Sequence, residues 1–288
     1  MTILIRCLAL VAGAVLAAGC SMGQIAARSA ASIMDGGAEA MNRESDLGIA
    51  AAAIPANIKL IEGLIAEDPD NAVLRTYAAQ GLYGYAFGFV EDQDPARASR
   101  FYRRCFEHAQ VALRSYGVHD ILEASIEQLS DEVNALPRAA VPTLFWSASC
   151  LAKWIDLSRT DPDLLSQAGK SIRMMQQVLM VDETFNFAAP HLFFGAYYGG
   201  MSPMYGGDPD RARRHFDRAR VLTRGNDLLI DVMQAQYLAR QTQDRAGFHA
   251  QLQAVLSART DSAPEMALIN AIAKQKAAWL LQKEDEWF

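Results

Sequence analysis

From Ser45 to the C-terminus, apolar residues recur at intervals of three and four. No segment shows the sustained two-residue alternation of a half-buried strand. This pattern predicts an all-α chain with helices near 46–66, 71–90, 95–115, 119–129, 141–158, 163–180, 184–199, 209–223, 226–242, 244–258 and 264–283, about eleven in all. Pro55 lies inside the first and is expected to kink or split it, because a proline ring removes one backbone donor and collides with the preceding turn. The punctuation is repetitive: Asp68-Pro69, Asp94-Pro95, Asp161-Pro162 and Asp208-Pro209. An aspartate accepts from the free N–H groups of a first turn and a proline there has no N–H to leave unsatisfied, so each pair is expected to open a helix.

Two stretches repeat each other at one offset of 114 residues. Gly81, Asp94-Pro95, Arg97, Ala98, Tyr102 and Cys105 fall on Gly195, Asp208-Pro209, Arg211, Ala212, Phe216 and Ala219, while Tyr83 falls on Tyr197 and Asp68 on Asp182. A glycine on one helix, facing small-x3-aromatic-x2-small on the next, is the packing logic of tetratricopeptide (TPR) helix pairs. Ala168, Ile172 and Met175 read as a weaker third copy. The expected architecture is therefore TPR-like stacked helix pairs, a solenoid or bundle whose concave or axial surface carries the function.

The N-terminus adds a compartment. Arg6 is followed by a short apolar stretch, Cys7 to Ala18, ending in Leu16-Ala17-Ala18-Gly19-Cys20-Ser21. Residues 1–19 thus read as a lipoprotein signal peptide and Cys20 as the lipidated residue. Two or three acyl chains, at about 0.8 kcal/mol per buried methylene, hold a protein stably to a membrane. Ser21 beside Cys20 resembles an outer-membrane sorting pattern, so the expectation is a protein lipid-anchored to the outer membrane and facing the periplasm. Residues 20–43, rich in Ala, Ser and Gly, read as a flexible tether with one short helix, leaving 44–288 as a single helical domain. Export permits a disulfide between Cys105 and Cys150. Both lie mid-helix in apolar surroundings, where free cysteine behaves as a small hydrophobe, and two packed thiols are the expectation.

Composition narrows the function. The chain has 288 residues, 51% hydrophobic and 21% charged, with a formal net charge of -6. Disorder is excluded, and an acidic balance argues against nucleic acid as a partner. Loss of Arg6 with the signal would leave 26 basic against 33 acidic residues. His108, His119, His191, His215 and His249 have no base or ligand at triad or metal-site spacing, and neither a P-loop nor a dinucleotide-binding glycine pattern occurs. No catalytic residue, metal or cofactor is expected. The arginines between Arg211 and Arg220 alternate with Asp210 and Asp217 and read as a solvated helix face.

Aromatic residues are concentrated in 81–90 and 185–205. Helix-pair core is the expected place for most of them, but ten Phe, Tyr, His and Met residues in the second stretch exceed what one helix stripe can bury, so some must face a lipophilic cavity or a neighbouring subunit. Tyr83, Tyr85, Phe87, Trp146, Trp154, His191, Phe194, Tyr197, Tyr198, Met201, Met204 and Tyr205 are the candidate ligand or pore residues.

These residues also carry a resemblance. Glu44-Ser45-Asp46, Ile54-Pro55, Leu60 to Ala66, Ala79-Gln80-Gly81 with Tyr83 and Tyr85, Phe194 to Tyr198, Gly206 to Pro209, Ala212-x3-Phe216 and the tail from Leu281 to Phe288 follow an order similar to that of the T component of bacterial tripartite ATP-independent periplasmic (TRAP) transporters. The resemblance spans nearly the whole chain. It implies a non-enzymatic, homotrimeric lipoprotein with a hydrophobic pore through each subunit, passing or presenting a small hydrophobic ligand to a TRAP solute-binding protein. Another class of reading is a TPR-type scaffold that organises an envelope complex without any small ligand. A third, an envelope hydrolase, requires a polar constellation that the sequence does not display.

Overall fold

The computed structural model describes residues 22–288. The expected signal segment 1–19 and the Cys20 lipidation site lie outside the described residues. Within them the fold is all-α and no strand occurs. Helix α1 (Met22–Asn42) is followed by α2 (Leu47–Glu67), α3 (Ala72–Tyr85, continued as a π-helical stretch Ala86–Val90), α4 (Pro95–Arg114), α5 (Ile126–Asn134) and α6 (Val141–Asp156). The short α7 (Pro162–Leu165), α8 (Ala168–Val181), α9 (Phe185–Gly200) and α10 (Pro209–Leu222) come next. The chain ends with α11 (Leu229–Met233, continued as a π-helical stretch Gln234–Ala239), α12 (Arg245–Ser257), α13 (Ala267–Gln282) and α14 (Glu284–Trp287).

Side-chain caps start many of these helices. Asp94, Asp161 and Asp208 accept from the N–H groups of their first turns, as their Asp-Pro spacing predicts. Asp68 instead closes α2, and Asn71 opens α3 by accepting from the Leu74 N–H. Asp182 closes α8 in the same way and with a similar backbone, φ −155 and ψ 88 against −136 and 76 at Asp68. The repeated unit is therefore three helices long, α2–α4 matching α8–α10. Ala168 and Ile172 lie on α8, the counterpart of α2, and so do not form a third copy of the second-helix motif.

The second copy packs as expected. A Cβ on Gly195 would come within 2.6 Å of the Phe216 ring, so only glycine admits that contact. At Gly81 the near neighbour is instead Ile58 of α2, at 3.0 Å, and Tyr102 turns to a buried carboxylate. Ala98, Tyr102, Cys105, Ala212, Phe216 and Ala219 are all fully buried.

Other expectations change. The segment 22–42, read as a tether, is a 21-residue helix that packs on α2, α3 and α13. Pro55 neither splits nor ends α2, because Ala50, Ile54, Ile58, Ile61 and Ile65 hold its inner face to the core on both sides of the ring. Helix α2 is also long and apolar enough to cross a membrane, but here it packs against its neighbours, with Glu62 paired to Arg104. The helix expected at 119–129 forms at 126–134, capped by Ser125, since Gly117 and Asp120 turn the chain with positive φ. Val118 and Ile121, which mimic helical spacing, plug this turn into the core. Cys105 and Cys150 are joined as a disulfide between α4 and α6, correcting the expectation of two thiols; their Cα atoms are 5.8 Å apart.

Helix α13 packs on α1, α2, α11 and α12. The row of helices thus closes on itself instead of running on as an open solenoid.

Candidate functional site

Closure leaves a cavity of about 700 Å³ in the middle of the ring. Helices α1, α2, α3, α6, α8, α9, α11 and α13 all contribute to its wall. Ile54 and Ala168, Asn57 and Ser171, Ile58 and Ile172, Tyr83 and Tyr197, and Phe87 and Met201 line it as pairs, each 114 residues apart. The two copies therefore present the same faces to one shared space. Ile33, Leu60, Leu165 and Met201 are lining residues exposed at the surface, so the cavity reaches solvent.

Two irregular backbone segments aim side chains inward. Phe87 and Tyr237 sit on the π-helical stretches that end α3 and α11, where the extra residue per turn shifts the register of the lining. Gln275 donates to the Gly88 carbonyl at 2.9 Å, satisfying one group of the first stretch. Before α9 becomes regular, Asn186, Phe187 and Ala188 adopt left-handed φ of 47, 60 and 60. Such a conformation costs roughly 1–2 kcal/mol per non-glycine residue. It brings Asn186 and Phe187 to the cavity wall.

A polar cluster stands behind one region of the wall. Glu91, just past the first π-helical stretch, meets Lys153 at 2.8 Å and Lys276 at 2.9 Å and accepts from the Tyr102 hydroxyl at 2.6 Å. Lys276 also reaches Asp92 at 2.9 Å and lies 4.3 Å over the Phe87 ring. Burial opposes the charge on Glu91, but Lys153 and Lys276 outweigh it and hold the carboxyl down at about 2. Lys153 lines the cavity, as do Tyr237, Asp156 and Arg159, the last two paired with each other. Asp227 lines another part of the wall; burial lifts its carboxyl to about 7, although the Leu229 N–H donates to it at 2.9 Å. These groups are not among the twelve candidate residues. A lone lysine in the apolar run 144–155 was the available signal for Lys153.

Of the twelve candidate residues, Tyr83, Phe87, Trp146, Tyr197 and Met201 line the cavity. Phe187 and Phe193 from the same aromatic stretch join them. The other seven candidates lie elsewhere. Tyr85 packs on Phe89 and Phe101, and Trp154 on Phe106 beneath the Arg103 guanidinium. His191 bonds His215 at 2.9 Å and Glu183 at 3.0 Å, while Phe194 and Tyr198 stack on the His215 ring. Burial, with His191 and nearby arginines, lowers His215 to about 4. Arg211 lies 4.0 Å over the Tyr198 ring. Met204 and Tyr205 point to solvent. The dense 185–205 aromatics thus divide among three surroundings: cavity, helix-pair contact and surface.

Comparison with known proteins places this arrangement. The model of the family TAtT, TRAP transporter T-component, matches residues 43–288. An uncharacterised protein of Treponema pallidum (strain Nichols) is 21% identical over 262 residues, covering 85% of this chain and 81% of its own. That family is a transport-associated component of the bacterial envelope and is not a family of enzymes. With a match over most of its length, the chain belongs to the TRAP transporter T-component family.

Proposed function

We propose that this protein passes or presents a small hydrophobic ligand, through the cavity at the centre of its helical ring, to the solute-binding protein of a TRAP transporter. Lipid on Cys20 would hold it to the outer membrane, facing the periplasm, and a homotrimer would place three cavities beside three docking sites, raising effective concentration. The mechanism is passive. Apolar contact lowers the free energy of a desolvated ligand by about 25 cal/mol per Å². One observation carries the reading: a cavity of about 700 Å³ whose apolar lining comes in matched pairs from both halves of a repeat. A scaffold that only organised other proteins would gain nothing from so large an unfilled interior, since close packing is the default.

Gly84 supplies the test. It lines the cavity, lies inside α3, and a Cβ there would meet nothing within 4 Å. Gly84→Leu would fill the open space and relieve a helix-interior glycine of about 0.8–1.0 kcal/mol. The expected result is uptake of the apolar dye Nile red by the wild-type protein, its loss in Gly84→Leu, and a Tm that stays level or rises. Equal dye uptake by both proteins, or none by either, would reject the cavity as the ligand site. Native mass spectrometry separates the scaffold reading, for which a bare monomer is the expected species, from a trimer that keeps a lipid-like adduct.

A further inference from the structure

We propose that the part of the cavity at Lys153, Tyr83 and Tyr237 is a headgroup subsite that selects an amphiphile ending in a carboxylate. This rests on the cavity being a ligand site, and adds what the ligand's polar end must be.

Unmatched donors mark this part of the wall. The hydroxyls of Tyr83 and Tyr237 have no hydrogen-bond partner among the described residues, and both side chains line the cavity. Tyr83 lies 5.3 Å from the Tyr102 ring and the Lys153 ammonium 5.7 Å from the same ring, and Tyr237, which lines the same cavity, interacts electrostatically with both. The ammonium of Lys153 carries three protons, and its ionic partner is Glu91. These groups remain donors near neutral pH. Burial pushes the Tyr83 phenol up; at Tyr237 the pull of Lys153 is overcome by burial, Asp156 and Glu91, giving about 12. Burial works against the charge on Lys153, but Glu91 and Asp156 keep it protonated.

The carboxylates nearby are engaged: one Glu91 oxygen serves Lys153 and Tyr102, the other Lys276, and Asp156 takes both Arg159 bonds on its Oδ1. An alcohol or amine head offers at most one acceptor atom to two phenols and an ammonium, so part of this donor set would stay unmatched. A carboxylate brings only acceptors, with two oxygens able to take several N–H and O–H bonds at once. Phe87, Trp146 and Ile272 add apolar wall that suits a hydrocarbon body.

Equilibrium dialysis of the purified protein against radiolabelled palmitate and hexadecanol tests this, beside the variant Tyr83→Phe/Tyr237→Phe. That variant removes two hydroxyls that hold no hydrogen bond among the described residues, so its Tm should match the wild type. The expected result is palmitate bound at least tenfold more tightly than hexadecanol. The variant should lose roughly tenfold or more of its palmitate affinity, with hexadecanol unchanged. Equal binding of both probes by wild type and variant would overturn the subsite while leaving the cavity reading intact. A palmitate preference that survives the double replacement would place the head elsewhere and also overturn it. Binding of neither probe would sink the cavity reading itself, and the subsite with it.

Discussion

Gly195 is the residue where sequence and packing meet most tightly. Its missing side chain lets α9 lie on the Phe216 ring, at a distance where a Cβ would be 2.6 Å from an aromatic carbon. Gly195→Ala is expected to destabilise by about 1–3 kcal/mol, the range for overpacking a filled core. Gly81→Ala should be milder, because Ile58 at 3.0 Å is an aliphatic side chain that can shift. Thermal melts of the two variants check the order; a smaller loss at Gly195 would contradict the ring contact. The sequence disclosed that glycine and its aromatic partner through their spacing. It did not disclose that Tyr102, the equivalent of Phe216, would turn its hydroxyl to Glu91, because the buried carboxylate comes from outside the motif. His191, Phe194 and Tyr198 lie against α10 and not the cavity for a related reason: the face of α9 that meets α10 is as aromatic as the face that meets the cavity.

Among the elements, α4 and α6 are tied by the Cys105–Cys150 disulfide across a sequence separation of 45 residues. Closing a loop of that size restricts the unfolded chain, and removing such a bond typically costs 2–4 kcal/mol. Cys105→Ala/Cys150→Ala, or reduction of the wild-type protein, is therefore expected to lower Tm by several degrees. A variant that melts at the wild-type temperature and is indifferent to reductant would show the two sulfurs unbonded in solution. Helix positions were readable because period and capping residues act locally: the Asp-Pro starts at 94, 161 and 208 need only their own first turn. The π-helical stretches and the left-handed run at Asn186–Ala188 were not readable. Nothing in the local sequence asks for them, and they persist because packing over-determines the backbone there.

At the scale of the whole molecule, the ion network on Glu91 joins the end of α3 to α6 and α13, and so helps close the ring around the cavity. Removing one member of a buried network leaves the others uncompensated, which typically costs 3–5 kcal/mol. Glu91→Gln is expected to fall in that range and to loosen α13, read as faster amide exchange in 267–282 than in α10. The pH dependence follows from the same group. Its folded-state value of about 2 lies below the ordinary 4.5, so its stabilisation is present above the ordinary value and is lost as pH falls towards 2. Glu91→Gln should flatten that acid limb; an unchanged limb would mean that other carboxylates govern it.

The sequence alone determined the helical class, the capped starts, the Gly195–Phe216 pair and the residue types available for a lipophilic interior, because each depends on neighbours within a few turns or on a fixed repeat. Only the tertiary structure decided which aromatic residues face the cavity, that segment 22–42 covers it as a helix, and that Lys153 and Tyr237 stand in its wall. Those outcomes depend on how α13 returns to α1 and α2, and contacts between the two ends of a chain leave no periodic trace in either segment.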